Sequence, residues 1–193
     1  MPARVRFLAA STSQVFLIGG LLLLTARDAV AQPAQVVQVV FLNVGQGDAI
    51  LVRAPEGQSA LIDAGPAAPL EALRELGVTQ IDLLVATHPH ADHIGGMVDV
   101  LNTIPVRFYM DNGEPYTTAT YVELVRTLER RTDITYLAAE PRMISLGSVE
   151  LEVLPLLPSG SVDHNDRSVG LVISFGAFRA FLSGDSEGRE LSS

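Results

Sequence analysis

The sequence contains no cysteine, which excludes disulfide bonds and thiolate metal sites. It also contains no lysine, so arginine supplies all 13 of its basic residues. The formal net charge is −9, and a chain this acidic offers no broad basic surface for holding a nucleic-acid backbone. Because there is no cysteine, any metal ion must be held by nitrogen and oxygen donors, a set that suits Zn²⁺ or Mn²⁺ better than soft Cu⁺.

The first 31 residues have the pattern of a secretory signal peptide. Arg4 and Arg6 precede an apolar run at 15–24, and the small-residue sequence Ala-Val-Ala follows at 29–31. The apolar run is too short to span a bilayer comfortably, so no membrane anchor is expected after cleavage. We predict a signal peptide at 1–31, one domain at 32–193, and a periplasmic or secreted mature protein.

Residues 32–193 alternate between strand patterns and helix patterns. With 48% hydrophobic residues, a chain of 193 residues can form a core of its own. This order predicts sheets covered by helices on their outer faces. Strands are predicted at 36–42, 49–53, 59–62, 81–86, 106–110, 134–137, 149–154, 169–175 and 178–182, and helices at 69–76, 94–101 and 118–131.

Three of the four histidines and one aspartate lie within six residues. The run is His88, Pro89, His90, Ala91, Asp92 and His93, and it falls between a predicted strand and a predicted helix. Imidazole and carboxylate groups are the ligands that catalytic zinc sites use, and this many would be costly to bury without a shared cation. The run therefore predicts a metal site on a strand-to-helix turn.

Several motifs together resemble the metallo-β-lactamase superfamily. The histidine run is preceded by Leu-Ile-Asp-Ala-Gly at 61–65 and followed by Leu-Ser-Gly-Asp at 182–185. The segments at 41–49 and 165–169 narrow the resemblance to the hydrolase domain of competence DNA-uptake proteins of the ComEC/Rec2 type. The resemblance implies an α/β (α+β) fold, the αββα sandwich, with one or two metal ions at the edge between its sheets.

The resemblance also implies a role for individual residues. Asp63 matches an aspartate behind the site, which orients a ligand instead of binding the metal. The implied metal ligands are His88 and His90 for a first ion, Asp92 and His93 for a second ion, and Asp185 as a bridge between the two.

Two features depart from the family pattern. The family usually supplies a third histidine to the first ion, and here only His164 falls in the corresponding interval; it is either a ligand or an exposed loop residue. The family also places a further histidine after the bridging aspartate, whereas this sequence ends at Ser193. We therefore expect the sandwich to be C-terminally incomplete. Asp48, in a turn with two glycines, is expected beside the site.

The predicted function is an exported hydrolase that uses a metal-activated hydroxide, with Zn²⁺ as the expected ion and Mn²⁺ possible. Asp92 is expected both to bind metal and to accept a proton. The favoured substrates are phosphodiesters, including nucleic acid, because the resemblance is closest to the DNA-uptake domain. Hydrolysis of a lactam, lactone or thioester is the alternative within enzymes, and an inactive or accessory metal-binding fragment is the alternative outside them. The oligomeric state is left open.

Overall fold

The computed structural model describes residues 36–157 and 163–186, and the predicted signal peptide lies outside them. These residues contain ten strands, four α-helices and one short 3-10 helix. The strands are Gln38–Phe41 (β1), Ile50–Arg53 (β2), Ser59–Ile62 (β3), Ile81–Val85 (β4), Val106–Asp111 (β5), Thr135–Ala138 (β6), Arg142–Leu146 (β7), Val149–Val153 (β8), Leu171–Phe175 (β9) and Phe178–Leu182 (β10). The helices are Leu70–Glu75 (α1), Ala91–Ile94 (α2), Met97–Thr103 (α3) and Ala119–Glu129 (α4), with the 3-10 turn at Asn165–Arg167.

The strands form two sheets. The first has the order β1-β2-β3-β4-β5-β6, antiparallel from β1 to β3 and parallel from β3 to β6. The second has the order β10-β9-β8-β7 and is antiparallel throughout. The predicted sheet sandwich is confirmed.

The first sheet separates two hydrophobic cores because successive side chains along a strand point to opposite faces. Ile62 and Val85 pack toward the second sheet, where they join Ile173. Their neighbours Leu61 and Leu84 face the helices. Each of α1 to α4 contributes to this second core, so the described residues supply three layers of the sandwich: helices, first sheet and second sheet. None of these helices is long and apolar enough to cross a membrane.

One strand was not predicted from the sequence. Arg142–Leu146 (β7) forms a hairpin with β8 through Gly147, whose φ of 60° is the left-handed conformation that glycine adopts readily. Its exposed and covered residues alternate, with Met143 exposed and Leu146 buried. This alternation was the available signal, but only one position of the strand is fully buried, so the apolar run is weak.

The helix predicted at 94–101 is two helices, α2 and α3. They are separated at Gly95 and Gly96, where a Cβ on either glycine would overlap backbone atoms of the 64–68 segment. The glycines let this segment lie directly against the helix pair. The short helix α2 is therefore a separate turn that starts immediately after His90.

The connection of the strands brings the predicted site residues to one edge. Strands β3 and β4 are parallel neighbours, so the segments that follow them emerge at the same edge of the sheet. Asp63 follows β3, and its backbone N–H donates to the Val85 carbonyl at 2.8 Å. Thr87, which follows β4, accepts at its carbonyl from the Val169 N–H at 2.8 Å, which links this edge to the second sheet.

Candidate metal centre

Two segments distant in sequence, the histidine run and the segment after β10, bring two imidazoles and a carboxylate together. Nε2 of His93 lies 3.3 Å from Oδ1 of Asp185, and Nε2 of His88 lies 3.9 Å from Oδ2 of the same residue. One ligand atom from each of the three residues lies within 4.8 Å of the others. Both histidines are buried, whereas the side chain of Asp185 is 38% exposed. The group is therefore open to solvent on the Asp185 side.

The position of His93 follows from the short helix α2. His93 lies in the single turn that begins after His90, and its Nδ1 is 2.8 Å from Oδ2 of Asp63. Its other ring nitrogen, Nε2, is buried and faces Oδ1 of Asp185 at 3.3 Å without the geometry of a hydrogen bond. A buried ring nitrogen that makes no hydrogen bond is costly unless another partner, such as a cation in place of its proton, satisfies it. A metal ion coordinated at Nε2 meets that requirement, so the residues present fit a metal site.

Asp63 lies at the base of the site with no solvent exposure. Its Oδ1 accepts the backbone N–H of Thr87 at 2.8 Å, and its Oδ2 accepts the Thr87 hydroxyl at 2.7 Å. With the contact from His93, the carboxylate faces three donors. Burial raises the pKa of Asp63, while the hydrogen bonds from His93 and Thr87 oppose that rise. This geometry fits the predicted role of orienting a ligand.

The two buried histidines have opposite electrostatic environments. Burial, followed by the charges of His93 and His90, lowers the pKa of His88 to about 3, so its ring is neutral. Burial also disfavours charge on His93, but the hydrogen bond and charge of Asp63 outweigh it and raise the pKa of His93 to about 9. A metal ion at Nε2 of His93 would therefore displace a proton.

His90 and Asp92 lie beside the trio of His88, His93 and Asp185. Nδ1 of His90 is 3.1 Å from Nε2 of His88, and the two rings meet edge to face. Asp92 is in the first turn of α2, and its Oδ2 accepts a hydrogen bond from Gln46 at 3.3 Å. Both residues are partly exposed, so they border the open side of the site.

Asp48 enters from the loop between β1 and β2. It forms a second group with Asp63 and His93 whose ligand atoms lie within 4.8 Å of one another. Because three donors already face the Asp63 carboxylate, this second group is the poorer metal site. The loop is held close by Gly47, where a Cβ would overlap the backbone of Asp92.

His164 is near the site but is engaged elsewhere. Its ring centroid is 6.2 Å from that of His90 and 4.7 Å from that of Tyr116. Its Nδ1 lies 3.2 Å from Glu114, which also pairs with Arg167 at 2.5 Å. The structure thus places His164 in a polar row, formed by Glu114, His164 and Arg167, along one side of the site and apart from the trio. Glu114 was missed by the sequence analysis, since it lies in a loop with no motif of its own.

Two hydroxyl groups also border the site, and the sequence analysis missed that of Thr87. Thr87 contacts both Asp63 and His88. Ser168 is fully buried, accepts the Asp185 backbone N–H at 3.2 Å, and lies 3.3 Å from Nδ1 of His88. The signal for Thr87 was its position immediately before the histidine run. Ser168 lies within the 165–169 segment that carries the family resemblance.

Taken together, the fold and the site define a sheet sandwich with a His/Asp group at one edge that could hold a metal ion. The model of the metallo-beta-lactamase superfamily matches residues 42–190. The chain belongs to this superfamily, whose hydrolases are generally metal-dependent.

Among solved structures, the chain is similar to Igni18, a metallo hydrolase from the hyperthermophilic archaeon Ignicoccus hospitalis KIN4/I. The two share 21% sequence identity with a TM-score of 0.51, over 80% of this chain and 64% of Igni18. At this identity the likeness establishes the fold alone.

Two curated relatives match shorter segments. A ribonuclease Z from Aeropyrum pernix is 42% identical over 60 residues, which is 30% of this chain and 19% of the relative. A hydroxyacylglutathione hydrolase from Xanthomonas campestris pv. campestris is 43% identical over 53 residues, 27% of this chain and 20% of the relative. The matches therefore span about a fifth of the length of these relatives.

Proposed function

We propose that this chain is a metal-dependent phosphodiesterase that acts on nucleic acid or a related phosphodiester. One observation carries the metal-dependent part of the proposal. Asp185 converges with His88 and His93 from a distant segment, and the buried Nε2 of His93 faces Asp185 at 3.3 Å without forming a hydrogen bond. Protein interiors rarely leave such an atom unpaired, and a coordinated cation would satisfy it.

Each residue of the site has a proposed part. His88, His93 and Asp185 would hold the ion, with His90 and Asp92 completing its surroundings on the exposed side. A bound divalent cation would lower the pKa of water, so that hydroxide is available near neutral pH, and would neutralise charge on the substrate oxygens.

The carboxylates have different tasks in this proposal. Asp92 is partly exposed, so its carboxylate is placed to accept a proton from the attacking water. Asp63 is buried and holds the ring of His93 in place through Nδ1. Asp48 would lie beside the substrate, from the loop that packs against α2.

The phosphodiester substrate is proposed from two supports. The first is the resemblance of residues 41–49 and 165–169 to the hydrolase domain of the DNA-uptake proteins. The second is the partial match to a protein named ribonuclease Z. The net charge of −9 is compatible with an anionic substrate only because a cation at the site would offset it locally.

A second candidate is hydrolysis of an acyl substrate such as a thioester, lactone or lactam. It is supported by the partial match to a protein named hydroxyacylglutathione hydrolase. The same site geometry serves both reactions, since a cation polarises a carbonyl as well as a phosphoryl oxygen.

Substrate comparison tests the proposal directly. The zinc-loaded full chain is assayed with bis-p-nitrophenyl phosphate and single-stranded DNA, and in parallel with nitrocefin and an acylated glutathione. Turnover of the phosphodiesters that is lost in His88→Ala supports the proposal. Turnover of nitrocefin or the thioester with inert phosphodiesters favours the acyl hydrolase. Bound zinc without any turnover favours an accessory metal-binding protein.

Zinc is the proposed ion, because neutral imidazoles and carboxylates with no thiolate suit Zn²⁺, although Mn²⁺ takes the same donors. Elemental analysis of the purified chain decides between the two and gives the number of ions. One or two equivalents of zinc that fall below one in His88→Ala would support this assignment. A metal content unchanged in that variant would contradict it.

Export is proposed from the pattern of residues 1–31 alone. Expression of the full sequence in a Gram-negative host should give a periplasmic or secreted product whose N-terminal sequence begins at Gln32. An uncleaved product that stays in the cytoplasm would contradict this assignment.

A further inference from the structure

We propose that Thr87 is a positioning residue that transmits the orienting effect of Asp63 to His88, so that one buried carboxylate sets the tautomer of both buried histidines. This inference rests on the metal site proposed above. The direct contact between Asp63 and His93 is 2.8 Å, whereas Asp63 reaches His88 only through the Thr87 hydroxyl.

The direction of the hydrogen bonds follows from the single hydrogen of a threonine hydroxyl. Oγ1 of Thr87 lies 2.7 Å from Oδ2 of Asp63, and the carboxylate can only accept there. The hydroxyl hydrogen is therefore directed to Asp63. Oγ1 has lone pairs left and can only accept from its remaining neighbour, Nδ1 of His88, at 3.1 Å.

This assignment requires the hydrogen of the neutral His88 ring to be on Nδ1. The opposite tautomer would place two lone pairs against each other at the 3.1 Å contact with Thr87. With the hydrogen on Nδ1, Nε2 keeps its lone pair and points toward His90 and Asp185. His93 is arranged in the same way, because Asp63 takes the hydrogen of its Nδ1. Once the proton on Nε2 of His93 is displaced, both Nε2 atoms can therefore bind one ion.

Ser168 contacts the same ring nitrogen without deciding the tautomer. Its Oγ lies 3.3 Å from Nδ1 of His88 and accepts the Asp185 N–H, so its own hydrogen remains free to donate. It can accept from a protonated Nδ1 or donate to a bare one. Ser168 also packs closely, since a Cβ on Gly184 would lie 2.8 Å from its Oγ. Ser168→Ala therefore removes a hydroxyl contact to His88 without breaking the connection to Asp63.

The test measures the tautomer and the metal affinity separately. Long-range ¹H–¹⁵N spectra of the metal-free full chain report which nitrogen of His88 carries the hydrogen, and a chelator competition reports the affinity for zinc alone. We expect Nδ1–H in the wild type, in Thr87→Ser and in Ser168→Ala. Thr87→Val has nearly the same shape but no hydroxyl, and it should shift His88 toward Nε2–H and weaken zinc binding about 10- to 100-fold. Thr87→Ser should restore most of the affinity.

Two outcomes would overturn the inference, and a third would separate it from the proposed function. One is an Nε2–H tautomer of His88 in the wild-type protein, which is decisive even when Thr87→Val does not fold. Another is a Thr87→Ser variant that binds zinc as weakly as Thr87→Val, which would reduce Thr87 to a packing role. An Nδ1–H tautomer in a wild-type protein that takes up no zinc would support the relay while removing the metal-dependent function.

Discussion

At the scale of single residues, the candidate site is built on the buried carboxylate of Asp63, for which we predict an orienting role. Asp63 has a φ of 59°, a left-handed backbone conformation that costs energy for a residue with a Cβ. That conformation accompanies the three hydrogen bonds donated by Thr87 and His93. A carboxylate has enough lone pairs to accept all three, whereas an amide side chain does not.

Asp63→Asn should lower both the stability and the affinity for zinc. The amide replaces one accepting oxygen by a donating NH₂ group, which leaves at least one buried donor unsatisfied at a cost of about 1–3 kcal/mol. With the ring of His93 no longer held, zinc affinity should fall about 10- to 100-fold. Chemical denaturation of the metal-free protein and chelator competition measure the two effects.

Asp82→Asn is the matched control for this change. Asp82 also accepts several hydrogen bonds, from the Ser59 N–H, Gln80 and Arg107, but it lies near the start of β4, away from the metal centre. The control should lose stability without losing zinc affinity. Wild-type zinc binding by Asp63→Asn would refute the orienting role of that carboxylate.

At the scale of secondary-structure elements, the loop between β1 and β2 is pressed against the first turn of α2. Gly47 has a φ of 78° and lies so close to Asp92 that no Cβ fits between them. Gly45, two residues earlier, has a similar φ of 83° but has nothing within 4 Å of its Cβ position. The two glycines share a backbone conformation and differ in their surroundings, which makes them a natural pair for mutation.

Gly47→Ala should impair the site far more than Gly45→Ala. Both changes incur the left-handed penalty of about 1 kcal/mol, but only the first forces the loop and α2 apart. A shift of about 1 Å at a catalytic group can cost on the order of 100-fold in rate. We expect such a loss of zinc-dependent hydrolysis in Gly47→Ala and near-normal activity in Gly45→Ala. Equal activities of the two folded variants would show that the close contact is unimportant.

The elements themselves were largely predictable, and the exceptions have physical reasons. Nine strands were predicted because each has a strong apolar run, but β7 presents mostly half-covered residues and has only a weak pattern. The break between α2 and α3 depends on how closely Gly96 approaches residues 64–68, which no local pattern reports.

The candidate site, like the fold, was predictable from the sequence only in part. The spacing from His88 to His93 predicted their proximity, because these residues lie in one turn and the helix that follows it. Asp185 was placed only by the family resemblance. The contacts of Thr87 with Asp63 and of Glu114 with His164 join residues 24 and 50 positions apart, so they depend on the fold as a whole.

At the scale of the whole molecule, the candidate metal centre draws its residues from both sheets. His88 and His93 follow a strand of the first sheet, whereas Asp185 follows the last strand of the second. An ion held by all three would therefore tie the sheets together at one edge. A ligand that binds the native state and not the unfolded state stabilises the fold. The unfolded chain does not bring these three residues together, so the ion would bind the native state selectively.

Zinc should therefore raise the unfolding temperature of the wild-type chain. A free zinc concentration about 100 times the Kd contributes about 2.7 kcal/mol, and a domain of this size gains about 2–4 °C per kcal/mol. We expect a shift of roughly 5–10 °C by calorimetry, reversed by a chelator. His88→Ala, which removes a ligand, should abolish the shift, whereas Asp82→Asn should leave it intact.

His164→Ala distinguishes the two interpretations of the fourth histidine in the same experiment. The contacts of His164 with Glu114 and Tyr116 direct it into the neighbouring polar row, so the variant should keep most of the zinc-induced shift. Loss of the shift as complete as in His88→Ala would make His164 a ligand, with Glu114 holding its Nδ1 in the way Asp63 holds that of His93. Because His164 is partly exposed and lies outside both hydrophobic cores, its truncation should leave the metal-free unfolding temperature nearly unchanged, and any difference can be attributed to the ion.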